Sequence, residues 1–420
     1  MKVLFLQEQP EVLLRLNNPR DPNPGVGGTS YLTCQVAYEL HQASVAQHNG
    51  LEIHLGCIGN GPTHFHGIPV VDLDQSDARF QWDVVICTGG HLDNLASGRL
   101  RIQQQRLIAW IHHPFDADKL RKARALGAEP LSIGKAQFLS NVLLTGNHHH
   151  IDNLFCAERI RSAAGWANGL SLPPPKQPQP SQLRIGYMGA LIPSKGFHQL
   201  AEQWASIQRS LAAVGINASL VVIGGSSLYQ FNQGDTDLPC DAAYAERLRH
   251  ILGPEIHRSV HFHGTLAAER YRLMDQCDLA VVNPGGSGEA FPATILEWLS
   301  LGVPVISSER YGCGDAMRLL PSLTIQHPRQ LSQTILQVAQ QSNAQRQQLA
   351  NDCAQIGSLF SSQQALIIQQ WLLLLLNRSQ PGLKVHEHLS GRAYRWLLET
   401  YWASRIQALK AGFKRARFRR

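Results

Sequence analysis

Short apolar or β-branched runs alternate along this chain with longer stretches in which apolar residues recur every three or four positions. That is the pattern of parallel strands joined by helical crossovers. In the first half, Val3–Leu6, Leu51–Ile58, Trp82–Thr88, Leu107–Ile111 and Phe138–Leu144 predict strands, and Tyr31–Ala43 predicts a helix behind the glycine-rich turn Pro24-Gly25-Val26-Gly27-Gly28. After Ser171 comes Leu-Pro-Pro-Pro-Lys-Gln-Pro-Gln-Pro-Ser, whose prolines remove donors and favour an extended path. A second array then follows, with strands expected at Leu183–Tyr187, Ser219–Ile223, Val260–His263, Leu279–Asn283, Val303–Ser307 and Leu323–Gln326. The expected fold class is α/β: two Rossmann-like doubly wound domains, 1–172 and 183–358, joined by a linker at 173–182 and facing across a cleft. Ligands of such sheets bind outside the C-terminal ends of their strands.

Length and composition agree with two domains. The chain has 420 residues, 44% of them hydrophobic, enough to bury a core in each half. Eight cysteines are scattered without a Cys-x-x-Cys pair, which reads as reduced thiols in a cytoplasmic protein and not as a zinc site. The opening Met-Lys-Val-Leu-Phe-Leu turns polar at Gln7, so it is expected to be a buried strand and not a signal peptide. Ala365 to Leu376 is interrupted by Gln369 and Gln370 and is too short to span a bilayer. The net charge of +7 sits at one end: from Arg395 to Arg420 there are eight Lys or Arg against one acid, leaving residues 1–394 balanced. A nucleic-acid partner is therefore not expected.

The densest chemistry lies in Gly286-Ser-Gly-Glu-Ala-Phe-Pro-Ala-Thr-Ile-Leu-Glu-Trp-Leu-Ser-Leu-Gly-Val-Pro-Val-Ile306. Its glycines make a turn from strand to helix, Pro292 suits the first helical position, and Gly302 ends the helix. A helix start at the C-terminal edge of a parallel sheet presents free N–H groups and a positive dipole end to an anion such as a diphosphate. Helical side chains lean toward the N-terminus, so Glu297 is directed back toward that ligand, while Glu289 stands in the preceding loop. Two carboxylates so spaced can accept hydrogen bonds from different hydroxyl pairs of one sugar nucleotide. Without such a ligand, Glu289 would be a solvated loop residue and Glu297 an exposed helix residue.

On these residues the chain resembles the large retaining family of GT-B glycosyltransferases, which carry a Glu-x7-Glu motif followed by a Gly-x-Pro-Val-Ile-like strand. Arg184-Ile-Gly-Tyr-Met-Gly189-Ala-Leu-Ile-Pro-Ser-Lys195-Gly196 is similar to the family's Gly-Arg-Leu…Lys-Gly element, in which the lysine supports the donor diphosphate as a mobile point charge. Lys195 and Gly189 match, but Ala190 stands where the family has arginine. Either Arg310 compensates or helix N-termini carry more of the load. Gly264, Thr265 and Leu266 resemble the backbone lining a nucleobase pocket, which strand-end turn chemistry explains equally. Gly27 and Gly28 resemble the glycine pair that lets a first-domain loop approach the donor, or form a simple turn leading into a helix.

The same resemblance puts a histidine at the end of strand Leu107–Ile111, near the transferred sugar. His112 aligns best, with His113 as its competitor. It implies transfer of a sugar from a nucleoside-diphosphate sugar to a glycan, lipid or lipid-linked acceptor, with retention and without a metal. Lys195, Ala290, Phe291, Ala293 and Thr294 would surround the donor phosphates and sugar, with Glu297 on the ribose and Glu289 on the sugar. An epimerase or phosphorylase on the same fold, or a non-catalytic sugar-nucleotide scaffold, is the alternative. No cofactor is implied beyond the donor, and no metal: Asp72/Asp74 and Asp235/Asp237 fall outside the cleft-facing segments, and His148-His149-His150 do not face one point. A last helix at 359–378 is expected to cross back to the first domain. Residues 379–420 form a basic tail whose amphipathic part, 392–420, has the pattern of a segment lying on an anionic membrane, with packing on the first domain or an unstructured end as alternatives.

Overall fold

The computed structural model describes residues 1–7, 10–59, 61–74, 81–113, 117–139, 149–175, 181–226, 238–254, 258–286 and 288–377. These divide into two compact units. One is built from Met1–Pro19, Thr29–Leu154 and the described residues from Ala365 onward, the other from Arg20–Gly28 and Phe155–Gln364.

The first unit holds β1 (Lys2–Leu6), β2 (Glu52–Cys57), β3 (His64–Phe65), β4 (Ile68–Asp72), β5 (Gln81–Cys87), β6 (Gln103–Ile111), β7 (Glu129–Ser132) and β8 (His149–His150). They form one sheet in the order β3-β4-β2-β1-β5-β6-β7-β8. Every pairing is parallel except β3 with β4. Val3, Leu4, Phe5 and Leu6 are all buried, as a strand covered on both faces requires. The helix Gln364–Leu375 packs here. Trp371 lies 5.0 Å from Trp110 and 5.9 Å from Phe5 between ring centroids. Arg106 on β6 donates to the carbonyls of Leu374 and Leu375, satisfying acceptors that a helix C-terminus leaves open.

The strand expected at Phe138–Leu144 does not form over its described residues, 138–139. Residues 135–139 are helical, with Phe138 N–H donating to Gly134 O at 2.9 Å, and 140–144 lie outside the described residues. The sheet continues instead through β7 and β8. Their Glu-Pro-Leu-Ser and His-His sequences carry almost no apolar run; pairing makes them strands, β7 to β6 and β8 to β7.

The second unit holds β9 (Gln182–Met188), β10 (Asn217–Ile223), β11 (Val260–Phe262), β12 (Leu279–Val281), β13 (Val305–Ser308) and β14 (Thr324–Ile325). The order β11-β10-β9-β12-β13-β14 is that of a dinucleotide-type doubly wound sheet, and every pairing is parallel. The direction of winding reverses between β9 and β12. Across the sheet face, Trp298 of the helix Ala293–Ser300 packs closely on Gly186 of β9; a Cβ there would sit 2.3 Å from the indole Cη2.

The helix Ala157–Ala164 also belongs to this unit. Arg161 donates through Nε to Ser300 O (2.9 Å) and through Nη2 to Ala354 O (2.9 Å) and Ser358 Oγ (2.8 Å). Residue 172, the boundary expected from the proline run, therefore falls inside the second unit.

Candidate functional site

The winding reversal of the second unit gathers two loops at the C-terminal ends of β9 and β12. Behind β9 the chain runs through Gly189 to a 3₁₀ turn Pro193–Lys195 and then Gly196, whose φ of 76° is the left-handed region that glycine adopts without strain. Tyr187 Oη donates to Lys195 O at 3.0 Å, tying the turn to the strand. Burial pushes this phenol's pKa well above the usual value, with Tyr244 and Glu289 adding to the rise, so it remains a donor. A Cβ on Gly196 would lie 3.3 Å from Asn283 Oδ1 and 3.4 Å from Pro284 Cδ, so the turn abuts the loop behind β12.

That loop is Asn283-Pro284-Gly285-Gly286 and onward to Glu289. A Cβ on Gly285 would press on Gln199 Oε1 at 2.5 Å. Gly286, with φ of 69°, lets the backbone pass 2.7 Å from Arg310 Cβ by the same measure. At its end, Glu289 Oε1 accepts from Lys195 Nζ at 2.5 Å and from Asn283 Nδ2 at 3.4 Å. Glu289 O accepts from Gly312 N–H at 3.0 Å, which fixes the backbone behind the carboxylate.

Ala290 and Phe291 are buried, Phe291 edge-on to Phe360 at 6.5 Å. The helix begins at Ala293, with Pro292 just before it. The Ala293 N–H donates to Phe291 O at 3.0 Å. Thr294 follows, half-buried, in the first turn, where amides have no partner within a helix.

Glu297, one turn further on, has its Oε1 2.9 Å from Tyr271 Oη, which donates to it, and 3.5 Å from Arg270 Nη2. Arg270 and Tyr271 open the short helix Arg270–Asp275. Arg270 Nη1 also donates to Asn23 O and Ala267 O, both at 2.7 Å. Asn23 holds its own loop: its side chain accepts from Gly25 N–H and Val26 N–H and donates to Val26 O. Neither Arg270 nor Tyr271 was legible as a site residue. Nothing in their spacing separates them from an ordinary helix start.

The remaining expected residues are placed as follows. Gly264 has φ of 65°, and its carbonyl accepts from Gly224 N–H at 2.7 Å; Thr265 and Leu266 follow, half-buried. Gly27 is buried, and Gly28 opens the helix Gly28–Gln47 with nothing within 4 Å of where a Cβ would stand. Ala190 is 4% exposed. Arg310 is exposed beside Gly286, and its guanidinium has no partner among the described residues.

His112 stands at the end of β6 in the first unit, its ring 4.3 Å from that of Trp110, and its buried Nε2 has no partner among the described residues. Burial, helped by the neighbouring His113, lowers its pKa to about 3. Gln137 Nε2 donates to the carbonyls of Ile111 and His113 on either side. Asp72 accepts from the Asp74 amide at 3.0 Å, and Asp235/Asp237 lie outside the described residues. Among the described residues no three His, Cys, Asp or Glu side chains gather as metal ligands, and no helix is long and apolar enough to cross a membrane. The segment 392–420 lies outside the described residues.

Two Rossmann-like parallel-sheet units, the second with its polar groups gathered where the winding reverses, define an α/β fold of the GT-B type. Residues 173–352, which carry Lys195, Arg270, Glu289 and Glu297, match the family model of glycosyl transferases group 1. No curated protein matches the chain in sequence. Among solved structures the fold is similar to Anabaena HepE, solved with UDP and glucose (TM-score 0.56, 18% identity, covering 90% of this chain and 100% of that one). It is also similar to the sucrose-phosphate synthase of Thermosynechococcus elongatus (0.58, 14%, 90% and 99%) and to the N-terminal domain of Candida albicans trehalose-6-phosphate phosphatase (0.59, 12%, 90% and 98%).

Proposed function

We propose that this chain is a retaining glycosyltransferase that moves a sugar from a nucleoside-diphosphate sugar to a glycan, lipid or lipid-linked acceptor. The observation that carries the reading is the meeting of Lys195 with Glu289 at the winding reversal, inside the stretch that matches group 1 glycosyl transferases. A UDP complex of a structurally similar protein supports a nucleotide-sugar donor.

In this reading Lys195 moves from Glu289 to the diphosphate, where a compact ammonium neutralises charge without demanding bidentate geometry. Glu289 then accepts from the hydroxyls of the sugar and Glu297 from those of the ribose. Gly264, Thr265 and Leu266 line the base, and the amide of Thr294 adds to the phosphate site. Gly28, where no clash inside the chain calls for glycine, leaves room for a ligand to approach the backbone. His112, neutral at physiological pH, offers its buried Nε2 to a hydroxyl of the transferred sugar. The anomeric C–O bond to the diphosphate breaks with both electrons leaving on the nucleotide. The acceptor oxygen bonds the anomeric carbon on the same face, and its proton passes to the departing diphosphate. Charge on the leaving group is met by Lys195 and backbone donors, and no metal or further cofactor takes part.

The test is incubation with a panel of nucleotide sugars, reading which one is slowly hydrolysed or raises the melting temperature. Binding of none would remove the reading. Interconversion of the donor without an acceptor, or a requirement for inorganic phosphate, would replace it with an epimerase or a phosphorylase. For a cytoplasmic enzyme with a lipid-linked acceptor, the basic segment 392–420 would hold it on the inner face of the membrane. Cosedimentation with anionic but not neutral liposomes, lost when that segment is removed, tests this.

A further inference from the structure

Arg270 is buried, 6% exposed, and its guanidinium joins two parts of the second unit that are far apart in sequence. On one side Nη2 lies 2.5 Å from Tyr271 Oη and 3.5 Å from Glu297 Oε1, with Tyr271 Oη itself donating to the same carboxylate oxygen at 2.9 Å. On the other side Nη1 donates to Asn23 O at 2.7 Å. The guanidinium carbon stands 4.2 Å from the centre of the Tyr271 ring, which holds its plane. A buried cation facing a half-buried carboxylate restrains both, because turning either away leaves a charge unpaired in a poorly solvated place.

The carboxylate is therefore divided. Oε1 is taken by Tyr271 and Arg270, while Oε2 has no partner among the described residues. Asn23 in turn is the staple of the loop that ends in Gly27 and Gly28, through its bonds to Gly25 and Val26. One guanidinium thus sets the carboxylate on the helix Ala293–Ser300 and, through a backbone carbonyl, the glycine loop.

We infer that Arg270 is a positioning residue of the donor site. Acting through Glu297, it presents Oε2 to the ribose hydroxyls, and acting through Asn23, it holds the Gly25–Gly28 loop in place to close on the bound nucleotide sugar. The inference rests on the glycosyltransferase reading and adds to it a residue outside the Glu-x7-Glu and lysine elements.

The test uses the full chain as wild type, Arg270→Gln, Arg270→Lys, Glu297→Gln and the double variant Arg270→Gln/Glu297→Gln. Calorimetry is run with whichever of UDP-glucose, ADP-glucose and GDP-mannose the wild type binds, and amide exchange at Gly25 and Val26 is followed without ligand. Arg270→Gln should weaken donor binding about ten-fold or more, with partial recovery in Arg270→Lys. The double variant should be weaker than Glu297→Gln by clearly less than the full Arg270→Gln loss, since the route through Glu297 is already gone and only the route through the loop remains. Exchange at Gly25 and Val26 should rise in Arg270→Gln and not in Glu297→Gln.

Losses that add in the double variant, donor affinity unchanged in Arg270→Gln, or unchanged exchange would each overturn the inference. Should Arg270→Gln not fold, Tyr271→Phe removes the hydroxyl bridge while keeping the guanidinium. It should weaken donor binding and leave Gly25 and Val26 exchange as in wild type, and unchanged donor binding would overturn the inference. A wild type that binds none of the three donors defeats the underlying reading itself, a result separate from any difference among variants.

Discussion

Lys195 Nζ and Glu289 Oε1 stand 2.5 Å apart across the ends of β9 and β12, a direct pairing of the cation and the carboxylate that the proposed function assigns to the donor. On the proposed reading, a bound donor exchanges that pair for phosphate and hydroxyl contacts. Both side chains are partly exposed, at 27% and 20%, which keeps the cost of exchange small.

The pair predicts opposite effects of two substitutions. Lys195→Ala should weaken binding of UDP, or of whichever nucleoside diphosphate the protein takes, by about 1.5–3 kcal/mol and leave binding of the free nucleoside nearly unchanged. Glu289→Gln frees the ammonium, so the nucleoside diphosphate should bind up to about five-fold tighter while sugar transfer falls. Calorimetry with nucleoside, nucleoside diphosphate and nucleotide sugar checks both. Equal losses for nucleoside and diphosphate in Lys195→Ala would reduce the lysine to a structural role.

The contact of Gly186 with Trp298 yields a stability prediction. The indole Cη2 lies 2.3 Å from where a Cβ would be, and Trp298 is fully buried, so the ring cannot retreat into solvent. Gly186→Ala should cost about 1–3 kcal/mol of unfolding free energy, the range for overpacking a close-fitted core. Urea unfolding followed by tryptophan fluorescence measures it. A loss under about 0.5 kcal/mol would mean that the helix Ala293–Ser300 shifts freely on the sheet, against the packing described.

Much of the second unit was legible because its strands carry their signal in their own residues. Leu279–Val281 and Leu220–Ile223 are apolar runs bounded by turn residues, and Leu279 to Ile306 spells strand, glycine turn, helix and strand in order. Glu-Pro-Leu-Ser at β7 has no such signal; it becomes a strand by pairing with Ile108–Ile111. Phe138 shows the reverse error: it opens an apolar run, yet it lies in the helical stretch 135–139 beside the buried Gln137. At the site, Glu289 and Lys195 could be named from local sequence. The roles of Arg270 and Asn23 depend on contacts made 247 residues apart, which no window along the chain contains.

The terminal helix of the first unit rests on a charged clamp. Arg106 pairs with Glu129 through two 2.8 Å bonds while its Nη1 reaches Leu374 O and Leu375 O. Hydrogen bonds from Arg106, then from His149, lower the Glu129 pKa to about 2. A depressed carboxylate stabilises the fold above its unfolded pKa, near 4.5, and that contribution is lost as pH falls toward 2. Arg106→Met should cost about 2 kcal/mol and raise amide exchange over the last turn of Gln364–Leu375 more than in β6 itself. Uniform exchange in both segments would show that Trp371 alone secures the helix.

His112 gives the pH prediction with the clearest sign. Burial, then the neighbouring His113, lowers its pKa to about 3, whereas in the unfolded chain it titrates near 6.5. Between those values the unfolded state binds a proton that the folded state does not, so this residue makes stability rise with pH across that window. The slope approaches about 1.4 kcal/mol per pH unit at its steepest. Above pH 6.5 the contribution is fully present and flat. His112→Gln should remove that slope without altering stability at pH 8 by more than about 1–2 kcal/mol, since an amide can occupy the same place beside Trp110. The imidazole is neutral throughout the physiological range, so donor turnover should show no midpoint near 6.5 that disappears with His112→Gln. Proton NMR of the ring decides the matter directly: a His112 resonance titrating near pH 6.5 in the folded protein would contradict its burial and remove its assignment as a neutral hydrogen-bonding group to the transferred sugar.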